Sequence, residues 1–352
     1  MSRRRAMAAA ALGSAAALAL TTLPAHAAAA SYVALGDSYS SGTGTRDYIA
    51  DGTECLRSAK AYPSLIAAAR GYALTFRACS GATVADVTAS QLSALSTSTG
   101  YVTISVGGND AGFADVLTEC AQPGWMSDCN GAVDGAQAFV NGTLPSRLSS
   151  LYSSIRAKAP NAKVTVVGYP RIFMGEDCNA LTWFSPEEEA RLNAMADLVN
   201  SVTAQRASAA GFSFANPTSR FVGHAVCDSP EWINGLSNPI EESYHPNTAG
   251  HASGYTPTVS PVLTGARVRG TAAVLRAAAG REATLAATQR RYAALDAGIT
   301  PERVLTPDLH SAKARAAAQR AGVDVDDRAS VDRADRLWSA RQAAEHRAAA
   351  SR

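Results

Sequence analysis

The chain has 352 residues, 47% of them hydrophobic and 18% charged. That is enough for one large core, or for one core with a smaller appendage. The formal net charge is only +2, so nothing in the charge balance asks for nucleic acid or an anionic surface as partner.

Residues 1–27 read as a secretory signal. Arg3-Arg4-Arg5 is a cationic start, Ala8 to Leu20 is a run of small and apolar residues, and Ala25-His26-Ala27 is a cleavage site. The run is short and alanine-dominated, and no stop-transfer pattern follows, which argues against a membrane anchor. The adjacent arginines keep a twin-arginine export route open. No later run approaches the ~20 apolar residues of a membrane span. The protein is therefore expected to be secreted and extracellular.

From Ser31 to Val262 strand and helix signals alternate. Ser31–Gly36 predicts a first strand, Tyr62–Arg70 a helix, and Leu74–Ala78 a second strand. Tyr101–Val106 is β-branched and ends in glycines, as a central strand does. Leu144–Ala159 is a helix closed by Pro160-Asn161, and Lys163–Gly168 is another buried strand. Ser185-Pro186-Glu187-Glu188 is a capping box with proline at the first helical position. It opens a long helix that stops at Gly211, and Phe212–Ala215 is a last short strand. Strands separated by helices argue for a parallel sheet covered on both faces. Function in such sheets gathers at the carboxyl ends of the strands. Two intervening stretches, Ser41–Ala59 and Phe113–Ala138, carry Gly, Cys and Trp with little periodicity and are read as long loops.

After about Thr264 the composition changes. The tail, 264–352, holds half of all Lys and Arg and few large apolar residues. Helices are expected over Thr271–Ala279, Glu282–Ala297 and Arg328–Arg347, with Thr300-Pro301-Glu302 as a further helix start. The apolar content is thin for an independent core, so the expectation is a helical or partly disordered extension. The sharper alternative is an interaction segment or pro-segment. Asp324-Val325-Asp326-Asp327 lacks the turn glycine and terminal glutamate of a calcium loop. The sequon Asn141-Gly142-Thr143 is taken as incidental.

An even cysteine count in an exported chain favours disulfides. The six are Cys55, Cys79, Cys120, Cys129, Cys178 and Cys227, and six allow fifteen pairings, so spacing alone decides nothing. Sequential pairing closes the shortest loops and is the expectation: Cys55–Cys79, Cys120–Cys129, Cys178–Cys227. The spacings fit no zinc module, and no metal is expected.

Four local patterns carry chemistry. Ser38 stands in Gly36-Asp37-Ser38-Tyr39-Ser40, where a buried strand ends. A serine hydroxyl needs a base to take its proton, and imidazole suits that task near neutral pH. Among six histidines, His26 belongs to the signal and His310 and His346 to the tail, which leaves His224, His245 and His251. His245 is followed by Pro246-Asn247, which fixes the backbone and can start a helix. Ester cleavage also needs donors for an oxyanion, each worth ~2.7–4 kcal/mol of barrier. Candidates are the Ser38 N–H, the Gly81 N–H in Cys79-Ser80-Gly81-Ala82-Thr83, and the Asn109 side-chain amide in Gly107-Gly108-Asn109-Asp110.

These blocks, in this order, resemble the SGNH (GDSL-type) hydrolases, and in particular secreted actinobacterial lipases, esterases and phospholipases. The resemblance spans about Ser31 to Val262 and includes the six cysteines. It implies a three-layer α/β/α fold with a flavodoxin-like parallel sheet and a requirement for no cofactor or metal. The substrate implied is a small-molecule or lipid ester, with transient contact at a lipid interface, for a monomeric enzyme. One position departs from the pattern. Many members carry Asp three residues before the histidine, where this chain has Glu242. Either the Glu242 carboxylate orients His245, or a backbone carbonyl at Glu242 or Ser243 does. Activity is then expected to fall below roughly pH 6.5, the ordinary imidazole value.

Lipase, carboxylesterase and phospholipase A fit these residues equally. Deacetylation of a polysaccharide is a further enzymatic reading. A secreted binding protein on the same scaffold would require a lost nucleophile or base. Tyr48, Phe113, Trp125, Phe139, Trp183 and Phe184 are candidates for the lining of an acyl cleft.

Overall fold

The computed structural model describes residues 29–350, so the signal read from residues 1–27 lies outside it. Five strands form one wholly parallel sheet: β1 (Ser31–Gly36), β2 (Ala73–Phe76), β3 (Tyr101–Ser105), β4 (Lys163–Val167) and β5 (Ser213–Ala215). Their order is β2-β1-β3-β4-β5. The central strands are buried on both faces, and this is why they read as continuous apolar runs. The chain winds one way from β1 to β2 and the other way from there to β3. The crevice beyond the carboxyl ends of β1 and β3 is therefore the switch point of the sheet.

The helices of this sheet unit are α1 (Ser38–Ser41), α2 (Tyr62–Arg70), α3 (Val84–Ser90), α4 (Phe113–Cys120), α5 (Cys129–Gly142), α6 (Leu144–Lys158), α7 (Pro186–Ala209), α8 (Thr218–Phe221) and α9 (Thr256–Thr264). Helices α2 and α9 cover one face of the sheet, and α3, α6 and α7 the other. The result is a three-layer α/β/α sandwich. The capping box at the start of α7 forms in both directions, Ser185 N–H to Glu188 and Glu188 N–H to Ser185 Oγ.

Phe113–Ala138 is not a loop. It holds α4 and most of α5, joined by a turn that the Cys120–Cys129 disulfide closes. Gly131, Gly135 and Gly142 are poor helix formers that hide α5 from a propensity reading. The Asp128 side chain compensates at its start by accepting the Gly131 N–H. Disulfides also join Cys55 to Cys79 and Cys178 to Cys227.

The tail folds onto the sandwich as α10 (Ala272–Ala279), α11 (Glu282–Arg290), α12 (Ala293–Asp296), α13 (Ala312–Ala321) and α14 (Arg328–Ala350). Leu285, Ala286, Ile299 and Val304 join the main core. Ala317, Ala318 and Val331 form a second cluster with Trp125 and Trp183. Two expectations for this region need correction. The single helix over Glu282–Ala297 breaks after Arg290, which lets the Tyr292 ring lie 4.2 Å from the Arg77 guanidinium. No helix starts at Thr300-Pro301-Glu302; residues 300–308 have no regular structure, and Thr300 lies against Gly81 instead.

Candidate active site

Ser38 is the first residue of α1, directly beyond β1. Two residues earlier the chain needs Gly36, at φ +120°, because a Cβ there would overlap the Ser105 carbonyl oxygen of β3. Asp37 caps α1, and its carboxylate is the hub of a buried network. It accepts the Tyr39 N–H at 3.1 Å, the Ser105 hydroxyl at 2.6 Å and the Tyr169 hydroxyl at 2.5 Å. Burial raises its pKa to about 6, against the pull of those donors. Asp37 was legible only as a neighbour of the serine. Its cap position between strand and helix was the available signal.

Ser38 Oγ and His245 Nε2 lie 2.8 Å apart. His245 Nδ1 is 2.8 Å from the Ser243 carbonyl oxygen. A carbonyl only accepts, so Nδ1 must carry the hydrogen, and Nε2 is left with its lone pair toward the serine. Burial lowers the His245 pKa to about 4, opposed by the Ser243 carbonyl. Of the two candidates for orienting His245, the Ser243 carbonyl is the one in contact with the ring. The Glu242 carboxylate does not reach the histidine; it accepts from Arg46 Nε at 3.0 Å and from the Tyr48 hydroxyl at 2.7 Å.

The backbone explains why the carbonyl can do this. Tyr244 stands at φ +60°, a region that costs a bulky residue energy. The bend brings the Ser243 oxygen and the His245 ring onto the same side. It is held by the Tyr39 hydroxyl, which donates to the Tyr244 carbonyl at 2.8 Å, and by the Tyr244 N–H, which donates to Asn234 O. The Tyr244 ring is packed on Phe173 and Phe184. No residue type in Tyr244-His245-Pro246 announces a positive φ, so this strain is invisible in sequence. Asn247 accepts the Ala249 and Gly250 N–H groups and opens the helical segment that leads to α9.

Gly81 and Asn109 line the same crevice as Ser38 and His245. Asn109 Nδ2 donates one hydrogen to the Ala82 carbonyl at 3.0 Å, which fixes the amide and leaves its second hydrogen for the crevice. Asp110 accepts the Val84 N–H and pairs with Arg147, tying the loop after β3 to α3. Among the described residues, neither the Ser38 N–H nor the Gly81 N–H donates a hydrogen bond.

Beside Asn109 and Phe113 opens an apolar pocket of about 50 Å³, with Tyr39, Val116, Ile172 and Leu192 in its walls. Of the six aromatic residues proposed for an acyl cleft, Phe113 alone lines it. Tyr48 serves Glu242, Trp125 and Trp183 pack on the tail, Phe184 packs on Tyr244, and Phe139 lies under Arg147. Cys178, Cys227 and Glu231 are the one close group of metal-ligand types among the described residues, and two of its three atoms are spent in a disulfide.

Residues 34–253 match the model of the GDSL-like Lipase/Acylhydrolase family. Lipase 1 of Streptomyces coelicolor is 46% identical over 237 residues, covering 66% of this chain and 87% of that protein. The lipase of Streptomyces rimosus is 43% identical over 234 residues, covering 66% of this chain and 86% of that protein. Among solved structures, phospholipase A1 from Streptomyces albidoflavus is 43% identical with a TM-score of 0.62. It is matched over 99% of its length by 66% of this chain. The extracellular lipase of Streptomyces rimosus is 42% identical with a TM-score of 0.63, matched over 100% of its length by 66% of this chain. About a third of the chain thus has no counterpart in those structures.

Proposed function

The chain belongs to the GDSL-like lipase/acylhydrolase family and hydrolyses ester bonds; from that premise we propose that Ser38 is the nucleophile and His245 the general base of an acyl transfer to water. The observation that carries this is the 2.8 Å contact between Ser38 Oγ and His245 Nε2, with the opposite ring nitrogen committed to Ser243. As Ser38 Oγ bonds to the ester carbonyl carbon, its proton passes to Nε2. The unpaired Ser38 and Gly81 N–H groups and the free Asn109 amide hydrogen support a role as oxyanion donors, since they line one crevice and have no other partner there. His245 returns the proton to the leaving alcohol. Water, deprotonated by the same nitrogen, then releases the acid and frees the serine.

The apolar walls of the pocket beside Asn109 support a hydrocarbon acyl group as its occupant, and so the lipase or phospholipase A reading over deacetylation. Export and action outside the cell fit the signal read from residues 1–27. No helix among the described residues is long and apolar enough to cross a membrane.

Ser38→Ala should abolish hydrolysis of p-nitrophenyl esters while leaving the circular dichroism spectrum unchanged; activity within twofold of wild type would refute the assignment. A substrate series from p-nitrophenyl acetate to palmitate, with phosphatidylcholine and acetyl-xylan, fixes the class. A preference for acetyl groups would favour the deacetylase reading.

A further inference from the structure

The unmatched third of the chain does not stay clear of the catalytic crevice. The space in front of Ser38, Gly81, Asn109 and His245 is closed by Glu302 and Val304. Contact is close enough that a Cβ on Gly81 would overlap the Thr300 carbonyl oxygen. Ser38 and His245 are only 4% and 8% exposed, yet an ester must reach both.

The covering segment is tied down on each side. Upstream, Asp296 is buried against Arg57 and Arg77 at 2.6 and 2.7 Å, and Ile299 sits in the main core. Downstream, Arg303 pairs with Glu241 at 2.7 Å and the Leu305 N–H donates to Thr118 Oγ1 at 2.9 Å. Beyond that, α14 is fastened by Asp332 to Trp183 Nε1 and by Asp335 to the Gly124 N–H. The middle is held less well. Glu302 Oε2 is buried without a hydrogen-bond partner, a standing cost to the covered state. Lifting the segment withdraws Ile299 and Val304 from the core and breaks the Arg303–Glu241 and Leu305–Thr118 contacts, while the Asp296 cluster and α14 stay fastened. The irregular stretch just downstream is exposed at Leu305, Thr306 and Asp308 and open to a protease.

Resting on the reading of Ser38 as nucleophile, we propose that residues 299–305 are an autoinhibitory strap: the chain's own C-terminal region seals the ester site, and turnover requires the strap to lift or to be cut.

The test compares the full chain with two opened forms. One carries Glu302→Gly, Arg303→Ala and Val304→Ser; the other has a specific protease site in place of residues 305–310 and is cut after folding. Each is treated with a p-nitrophenyl alkylphosphonate, and attachment to Ser38 is followed by mass. Hydrogen exchange of the amides of residues 299, 300 and 302–305 is read on the same samples. A strap closed in nine-tenths of molecules slows attachment about tenfold, so both opened forms should label about tenfold faster, and slow exchange should be confined to the intact wild type. Equal labelling rates in all three forms, or fast exchange of those amides in the wild type, overturn the strap and leave Ser38 as nucleophile. Labelling in none of the three refutes the Ser38 reading and the autoinhibition with it.

Discussion

His245 is held by three decisions that only partly show in its sequence neighbourhood. Its candidacy as the base was legible, because two of the six histidines lie in the tail and one in the signal, and because Pro246-Asn247 follows it. Its orientation was open between Glu242 and a carbonyl. The ring meets the Ser243 carbonyl, since Tyr244 takes a positive φ that no side chain advertises. Its titration was expected near the free value of roughly 6.5. Burial instead lowers it to about 4. The sign follows directly: only the neutral ring can accept the Ser38 proton, and burial penalises the charged ring, so the base stays competent well below pH 6.5 and is lost near 4. Nuclear magnetic resonance of the His245 Cε1 proton in the intact chain should give a midpoint near pH 4. A midpoint near 6.5 would mean a ring solvated as in a free peptide.

At the scale of elements, strands were the most legible part. β1, β3 and β4 lie within a residue or two of their apolar runs, because burial on both faces leaves only one composition available. Helices α4 and α5 were lost because glycines, two cysteines and a Pro-Gly turn masked their period. What propensity withholds there, the Cys120–Cys129 link and the Asp128 cap supply. The Cys178–Cys227 link does a different job. It spans 49 residues, from the loop before α7 to the turn before the Tyr244 bend, and closing a loop of that length is worth about 4 kcal/mol on the chain-entropy scale. Replacing both cysteines by serine should lower stability to urea by that order. The catalytic bend should loosen as well, visible as a lower kcat at a temperature where the chain is still folded. An unchanged kcat would separate that link from the site.

The whole molecule differs most from what composition suggests. The tail is too poor in large apolar residues to stand alone, and it does not. Its α12 delivers Asp296 into a pocket with the fully buried Arg57 and Arg77, 239 and 219 residues away along the chain, where Asp51 also pairs with Arg57 at 2.7 Å. No periodicity or spacing could reveal that pairing. Breaking a buried ion group by removing one partner typically costs about 3–5 kcal/mol, because the remaining charge is stranded. Asp296→Ala should therefore lower the melting temperature by many degrees, while Asp332→Ala, at a half-buried contact of α14 with Trp183 and Arg328, should shift it less; calorimetry on the two variants decides. Equal effects would show that the guanidiniums find another partner.

That arrangement also sets a timetable. As the polypeptide is made, Arg77 emerges 219 residues ahead of the carboxylate that neutralises it, while Arg57 already has Asp51. Until position 296 arrives, that buried guanidinium is without its partner and its surroundings cannot reach their final packing. The stretch that follows position 296 lies across the entrance as soon as it docks. On the strap proposal, the crevice is therefore covered from the moment that stretch docks, before any ester can reach it.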